Sequence, residues 1–160
     1  MLAAGIDPTA APLLYHSRSW GQFADVLANE ARLVTVGSED GLVLDRVFGT
    51  DTPSTAEQIV ATVQLALNEH PETRRIVLDD ASSMADPLLL RLSIQALSGV
   101  VGKTRVVLRA GAGSMASANV LVALKSGIHE LEVAPAHGQE HLPRDEAELM
   151  LTRMGVAIRS

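Results

Sequence analysis

The chain has 160 residues, of which 47% are apolar, 20% charged and only 2% aromatic, with a formal net charge of −6 and no cysteine. This composition suits one domain, spanning residues 1–160, with an aliphatic core, and it excludes intrinsic disorder, a disulfide framework and thiolate chemistry. Basic residues form no stripe, no apolar run reaches membrane-spanning length, and no basic-then-apolar leader opens the sequence. The expectation is a cytoplasmic protein with neither nucleic acid nor membrane as partner.

The opening "MLAAGIDPTAAPLLYHSRS" is broken by Pro8 and Pro12 and cannot be one long helix. Ser19 reads as the N-cap of a helix through "WGQFADVLANEA", and "RLVTV" as a short buried strand ending at "GSEDG". "LVLDRVF" fits either a strand or an irregular helix start. "DTPSTAEQIVATVQLALNEH" is the strongest helix signal: Ser54 and Glu57 have capping-box spacing, and Ile59, Val60, Val63 and Leu67 share a face. "RRIVLDD" predicts a strand. Asp86 as N-cap and Pro87 in the first turn then predict a helix that ends at Gly99. "RVVL" and "IHELEV" predict two more strands around a helix in "ASANVLVALKS". "RDEAELMLTRM" predicts a last helix, and "VAI" one more short strand. The alternation predicts an α/β fold with a parallel sheet of about five strands alternating with helices. The low polarity of "LVTV", "IVL" and "VVL" predicts that both faces of the sheet are covered.

Chemistry is sought at the strand C-terminal ends, where α/β sites gather. "GAGSMA" has the look of a phosphate-cradling turn, but it follows at least two strands and has no Walker lysine. Gly111 and Gly113 remain candidates for a single phosphate or carboxylate. Arg109, beside them, has the fork to clamp such an anion, or it pairs with an acid such as Glu132. Glu39 and Glu132 also fall near strand ends and would complete a polar ring. Asp79 and Asp80 are adjacent on a strand and face opposite ways; Asp80 is either a site acid or the anchor of the loop that follows. "HGQEH" matches an inverted zinc-protease motif, but Gly138 and Pro143 make it a loop.

Four fragments in order resemble the later half of the TIM barrels of the hydroxymethylglutaryl-CoA lyase and isopropylmalate (homocitrate) synthase superfamily. "VTVGSEDG" resembles its fourth strand, and "LDDASSMADP" keeps its fifth-strand spacing from Leu78 through Asp80 to Pro87. "LRAGAGSMASANVLVALKSG" keeps Ala116, Ala118, Asn119, Ala123, Leu124 and Gly127 in register, and "HGQEHLPRDEAE" is similar to a later loop and helix. The family binds a divalent cation through an H-x-H pair. The resemblance sets those two positions on Leu108 and Ala110, which have no lone pair to offer a metal. The glycine turn then looks like a metal turn from which the metal has gone. No metal or cofactor is expected in this chain unless a partner supplies the ligands.

A closed barrel needs about 250 residues, with about 200 as a floor. The expected architecture is therefore half a TIM barrel or a flavodoxin-like open sheet. The implied partners are a second copy of the chain or a larger barrel subunit. Two functions follow from the resemblance. In one, the chain is a subunit of a split lyase or acyltransferase for aldol-type chemistry on 2-oxo acids, inert alone. In the other it is a pseudoenzyme, a non-catalytic scaffold or regulator that binds a partner protein or a small anion. Asp80, Arg109, Gly111, Gly113, Glu39 and Glu132 are the candidate substrate-binding residues, with no catalytic residue assigned.

Overall fold

The computed structural model describes residues 30–45, 48, 54–137 and 140–159. The expected helix after Ser19 lies outside them. In chain order the elements are β1 (Glu30–Thr35), β2 (Leu42–Leu44), α1 (Ala56–Glu69), β3 (Arg75–Asp79), a 3-10 turn (Ala81–Ser83), α2 (Pro87–Ser98), β4 (Arg105–Arg109), α3 (Ala116–Lys125), β5 (Glu130–Val133), α4 (Arg144–Arg153) and β6 (Ala157–Arg159). The fold is α/β, and every strand pair is parallel, in the order β2-β3-β4-β5-β1-β6. The sheet has six strands where about five were expected, because "LVL" and "AIR" each form a short end strand.

Local chemistry sets the helix ends. Asp86 caps α2 by accepting from Leu88 N at 2.7 Å, with Pro87 in the first turn, where its missing N–H leaves no bond unmade. The capping box of α1 is one residue later than the spacing suggested. Thr55 Oγ1 accepts from Gln58 N at 3.1 Å, and Gln58 Oε1 accepts from Thr55 N at 2.8 Å. Ser54-Glu57 and Thr55-Gln58 both fit the pattern, and sequence alone does not choose between them.

All four described helices share one hydrophobic cluster with the sheet. Ile59, Val63, Leu90, Ile94, Leu97, Val120, Leu124 and Leu151 meet Leu33, Ile76, Leu78, Leu108, Leu131 and Val133. The described helices therefore line one face of the sheet. Strand residues alternate sides, so the opposite face presents Arg32, Val34, Arg75, Val77, Asp79, Arg105, Val107, Arg109, Glu130 and Glu132. Both faces are indeed buried, but the second by charge.

Residues 36–41 carry the chain from β1 to the far edge of the sheet, past β5, β4 and β3. In a flat sheet those four spacings amount to about 19 Å, and returning from strand end to strand start adds about 13 Å along the strands. The diagonal approaches the limit of about 25 Å that the link can span fully extended. Curvature of the sheet brings its two edges closer and leaves the link slack enough to turn at Gly37.

Candidate functional site: the charged face and the strand ends

The charged face is a continuous ladder of ion pairs. Arg75, on β3, reaches over β4 to β5: its Nε donates to Glu130 Oε2 at 2.8 Å and its Nη1 donates to Glu132 Oε2. Nη2 lies 2.7 Å from Glu130 Oε2 but off the hydrogen-bonding direction, so that contact is Coulombic rather than directed. Arg105 Nη1 donates to Glu130 Oε1 at 2.7 Å, and Arg109 Nε donates to Glu132 Oε1 at 2.7 Å. Glu39, on the 36–41 link, accepts from Arg32 Nη2 at 2.5 Å and lies 3.7 Å from Arg75 Nε.

Burial makes these pairs matter. Arg75 is 2% exposed and Glu132 0%, and neither ion tolerates such a place without an opposite charge and hydrogen bonds. Burial by itself would lower the Arg75 pKa, but its bonds to Glu132 and Glu130 outweigh that and raise it. The hydrogen bond from Arg32 is the largest cause holding the Glu39 carboxyl below the usual range.

At the strand C-terminal ends the ladder finishes in Asp79 and His141. His141 Nε2 is 2.9 Å from Asp79 Oδ1, and Arg109 Nη1 is 3.7 Å from Asp79 Oδ2. These three side chains are 11–16% exposed. Over them lies the segment 140–142. Glu140 O accepts from Ser82 N and Ala112 N, Leu142 N donates to Ala110 O, and Leu142 O accepts from Ala134 N. Residues Gly111 and His141 form an antiparallel bridge. The strand ends are thereby tied together by main-chain bonds.

Asp80 faces the other way, into the helix layer. Its Oδ1 accepts from Ala85 N at 2.7 Å and its Oδ2 from Asn119 Nδ2 at 2.8 Å; Asn119 also donates to Ala85 O at 3.1 Å. Asn119 Oδ1 is buried with no partner. Burial raises the Asp80 carboxyl pKa despite those two bonds, because taking a carboxylate out of water favours its protonated form. Asp80 thus anchors the turn that follows β3.

Ser82 and Ser83 in that turn have φ of 57° and 50°. The glycine turn packs directly against them. A Cβ on Gly111 would fall 1.8 Å from Asp80 O, and one on Gly113 would fall 2.3 Å from Ser83 Oγ. Here glycine serves the close approach of two backbones. Two amides of the same turn are already committed, Ala112 N to Glu140 O and Met115 N to Ser83 Oγ.

The six candidate residues therefore separate into four places. Arg109 and Glu132 are bonded to each other on the charged face, Asp80 is in the helix layer, and Gly111 and Gly113 form the turn contact. Glu39 was expected beside Glu132 at the strand C-terminal ends. Instead the link returns toward the start of β2 and brings its carboxylate to Arg75 and Arg105, at the strand starts. Leu108 and Ala110, onto which the resemblance sets the H-x-H pair, are core residues facing away from the charged ladder. Among the described residues no cluster of three or more His, Cys, Asp or Glu is arranged to hold a metal.

Arg75, Arg105 and Glu130 were not singled out from the sequence, and His141 was read only as part of the "HGQEH" loop. A period-2 signal was available for three of them: "RIVLD", "RVVLR" and "ELEV" place charges at every second or fourth position. His141 had no comparable signal, because it comes from a loop and meets Asp79 only through the 140–142 segment.

The described residues contain no helix long and apolar enough to cross a membrane. No family model, no curated protein and no solved structure matches the chain.

Proposed function

We propose that the chain is a non-catalytic relic of the lyase and synthase barrels that acts by binding a partner protein, the family's reaction cavity having become an ion-paired core. The observation that carries this reading is that the charged face is self-satisfied. Asp79, Glu130 and Glu132 each bond an arginine or histidine of the same chain, and the 140–142 segment ties the strand ends above them. General acid–base chemistry needs a group free to exchange a proton with substrate, and none of these carboxylates is uncommitted. Among the described residues β6 is an edge strand, exposed along its length, and its free edge is offered to a second chain, either another copy or a larger barrel subunit.

The experiment is a measurement of mass in solution, alone and with the co-encoded neighbouring protein, beside an assay with a 2-oxo acid, an acyl-CoA and Mg²⁺. The expected result is a stoichiometric complex or dimer without turnover. A monomer under all conditions would overturn the partner-binding role.

A second reading, a subunit of a split enzyme, is favoured by one feature: Asp79, Arg109 and His141 converge at the strand C-terminal ends, the usual place of active sites in parallel α/β folds. Turnover by the complex that disappears in Asp79→Asn and His141→Gln would establish that reading in place of the first.

A further inference from the structure

At the other end of the strands, the starts of β4 and β5 open into a cleft of about 350 Å³. Its size falls within the range of small-molecule sites. Its walls divide by chemistry. Ile94, Val101 and Ile128 belong to the helix-side core, whereas Arg105, His129 and Arg159 bring nitrogen donors.

The arginines there outnumber their acids. Glu130 is shared by Arg32, Arg75 and Arg105, and all three also draw on Glu39. Arg159 stands directly opposite Arg32 on the neighbouring strand, and among the described residues it has no carboxylate partner. Like charges facing each other across a strand pair are unfavourable, and an anion between them relieves this. The last turns of α2 and α3 border the cleft at Ser98 and Ser126. Their carbonyl ends carry partial negative charge, so an anionic group is steered away from the helices and toward the arginines.

We propose that this cleft binds a small organic monocarboxylate, its carboxylate on Arg105 and Arg159 and its short apolar chain against Ile94, Val101 and Ile128. A second carboxylate on the ligand is disfavoured because Glu130 lines the same space. The site lies at the opposite end of the strands from Asp79 and His141 and does not depend on whether the chain is catalytic.

The test is an NMR titration of the full chain with hexanoate, following the amides of Gly102, Gly127 and Glu130. Acetate, hexanol and inorganic phosphate serve as comparison ligands. The expected result is saturable shifts with hexanoate, at least tenfold weaker binding of acetate and hexanol, and little response to phosphate. Arg159→Glu is expected to weaken hexanoate binding at least tenfold with the rest of the spectrum unchanged, and Arg159→Lys to stay within about threefold, by reversal and retention of the side-chain charge. Absence of saturable shifts, equal binding of hexanol or phosphate, or unchanged affinity in Arg159→Glu would each overturn the proposal.

Discussion

The two faces of this sheet are both withdrawn from water, by opposite means. Leu78, Leu108 and Leu131 fill the helix side with aliphatic carbon, whereas one residue along each strand Arg109, Glu132 and Asp79 fill the other with charge. The apolar side is tolerant: a lost methyl group removes contact area and leaves a cavity whose cost scales with its size. The charged side is brittle. Each ion there is tolerable only because its partner is present, so removing one member leaves another buried and uncompensated.

That contrast is broken or sharpened most strongly at Glu132. Its replacement by Ala strands Arg75 and Arg109, and the expected loss of unfolding free energy is about 3–5 kcal/mol, read from urea denaturation. On the other face Leu108→Ala is expected to cost about 2–5 kcal/mol. The distinguishing result is rescue. Adding Arg75→Met and Arg109→Met to Glu132→Leu should recover most of the Glu132 loss, since an apolar cluster of similar volume needs no counter-charge. Failure of that rescue would mean that the ladder is held by shape rather than by charge balance.

Asp80 gives a smaller and pH-dependent effect. Asp80→Leu leaves Ala85 N–H without an acceptor and takes one of the two acceptors of the Asn119 amide, which keeps Ala85 O, a loss of about 1–3 kcal/mol for each N–H so stranded. Asp80→Asn is expected to cost about 1–3 kcal/mol, because its carbonyl keeps Ala85 N while its amide takes the place of Oδ2 and faces the Asn119 amide, donor against donor. The folded protein holds the Asp80 proton more tightly than the unfolded chain does. The stability this proton confers is full below the ordinary aspartate pKa of about 3.9 and is lost as pH rises through the higher folded value. Stability of Asp80→Asn relative to wild type should therefore increase across that interval; a difference independent of pH would refute the buried-carboxylate account.

The smallest effect is expected at the surface pair His137–Asp145, 2.9 Å apart and exposed on both sides. The hydrogen bond to Asp145 raises the His137 pKa, so any contribution is present below the ordinary histidine pKa and vanishes as pH rises through the folded value. Thermal melts of His137→Ala and wild type should coincide at pH 8.

Much of the architecture could be read from the chain because it is local. Asp86-Pro87 marked the start of α2, and the alternation of apolar runs marked a parallel α/β sheet. The capping box was misplaced by one residue because two overlapping quartets satisfy the same rule. The ion ladder was only half legible. Strand alternation put Arg75, Glu130 and Glu132 on one side, but the reach of Arg75 across β4 depends on strand order and curvature, which no spacing encodes. The reason for the glycine turn was not legible on similar grounds. "GAGSMA" carries no sign that the 80–83 turn lies against it, and that contact is what requires glycine at Gly111.

The position of β1 carries a kinetic consequence. Its hydrogen-bonding neighbours are β5 and β6, about a hundred residues downstream, and Arg32 pairs in register with both Glu130 and Arg159. The first described strand must wait for β5 before it can dock, and β6, which pairs with β1 alone, can only follow it, while β3 and β4 can assemble as soon as they are made. Closing so long a loop is a slow step. During synthesis on the ribosome, β1 would be seated only after β5 has been made, and until then Glu130 would lack Arg32.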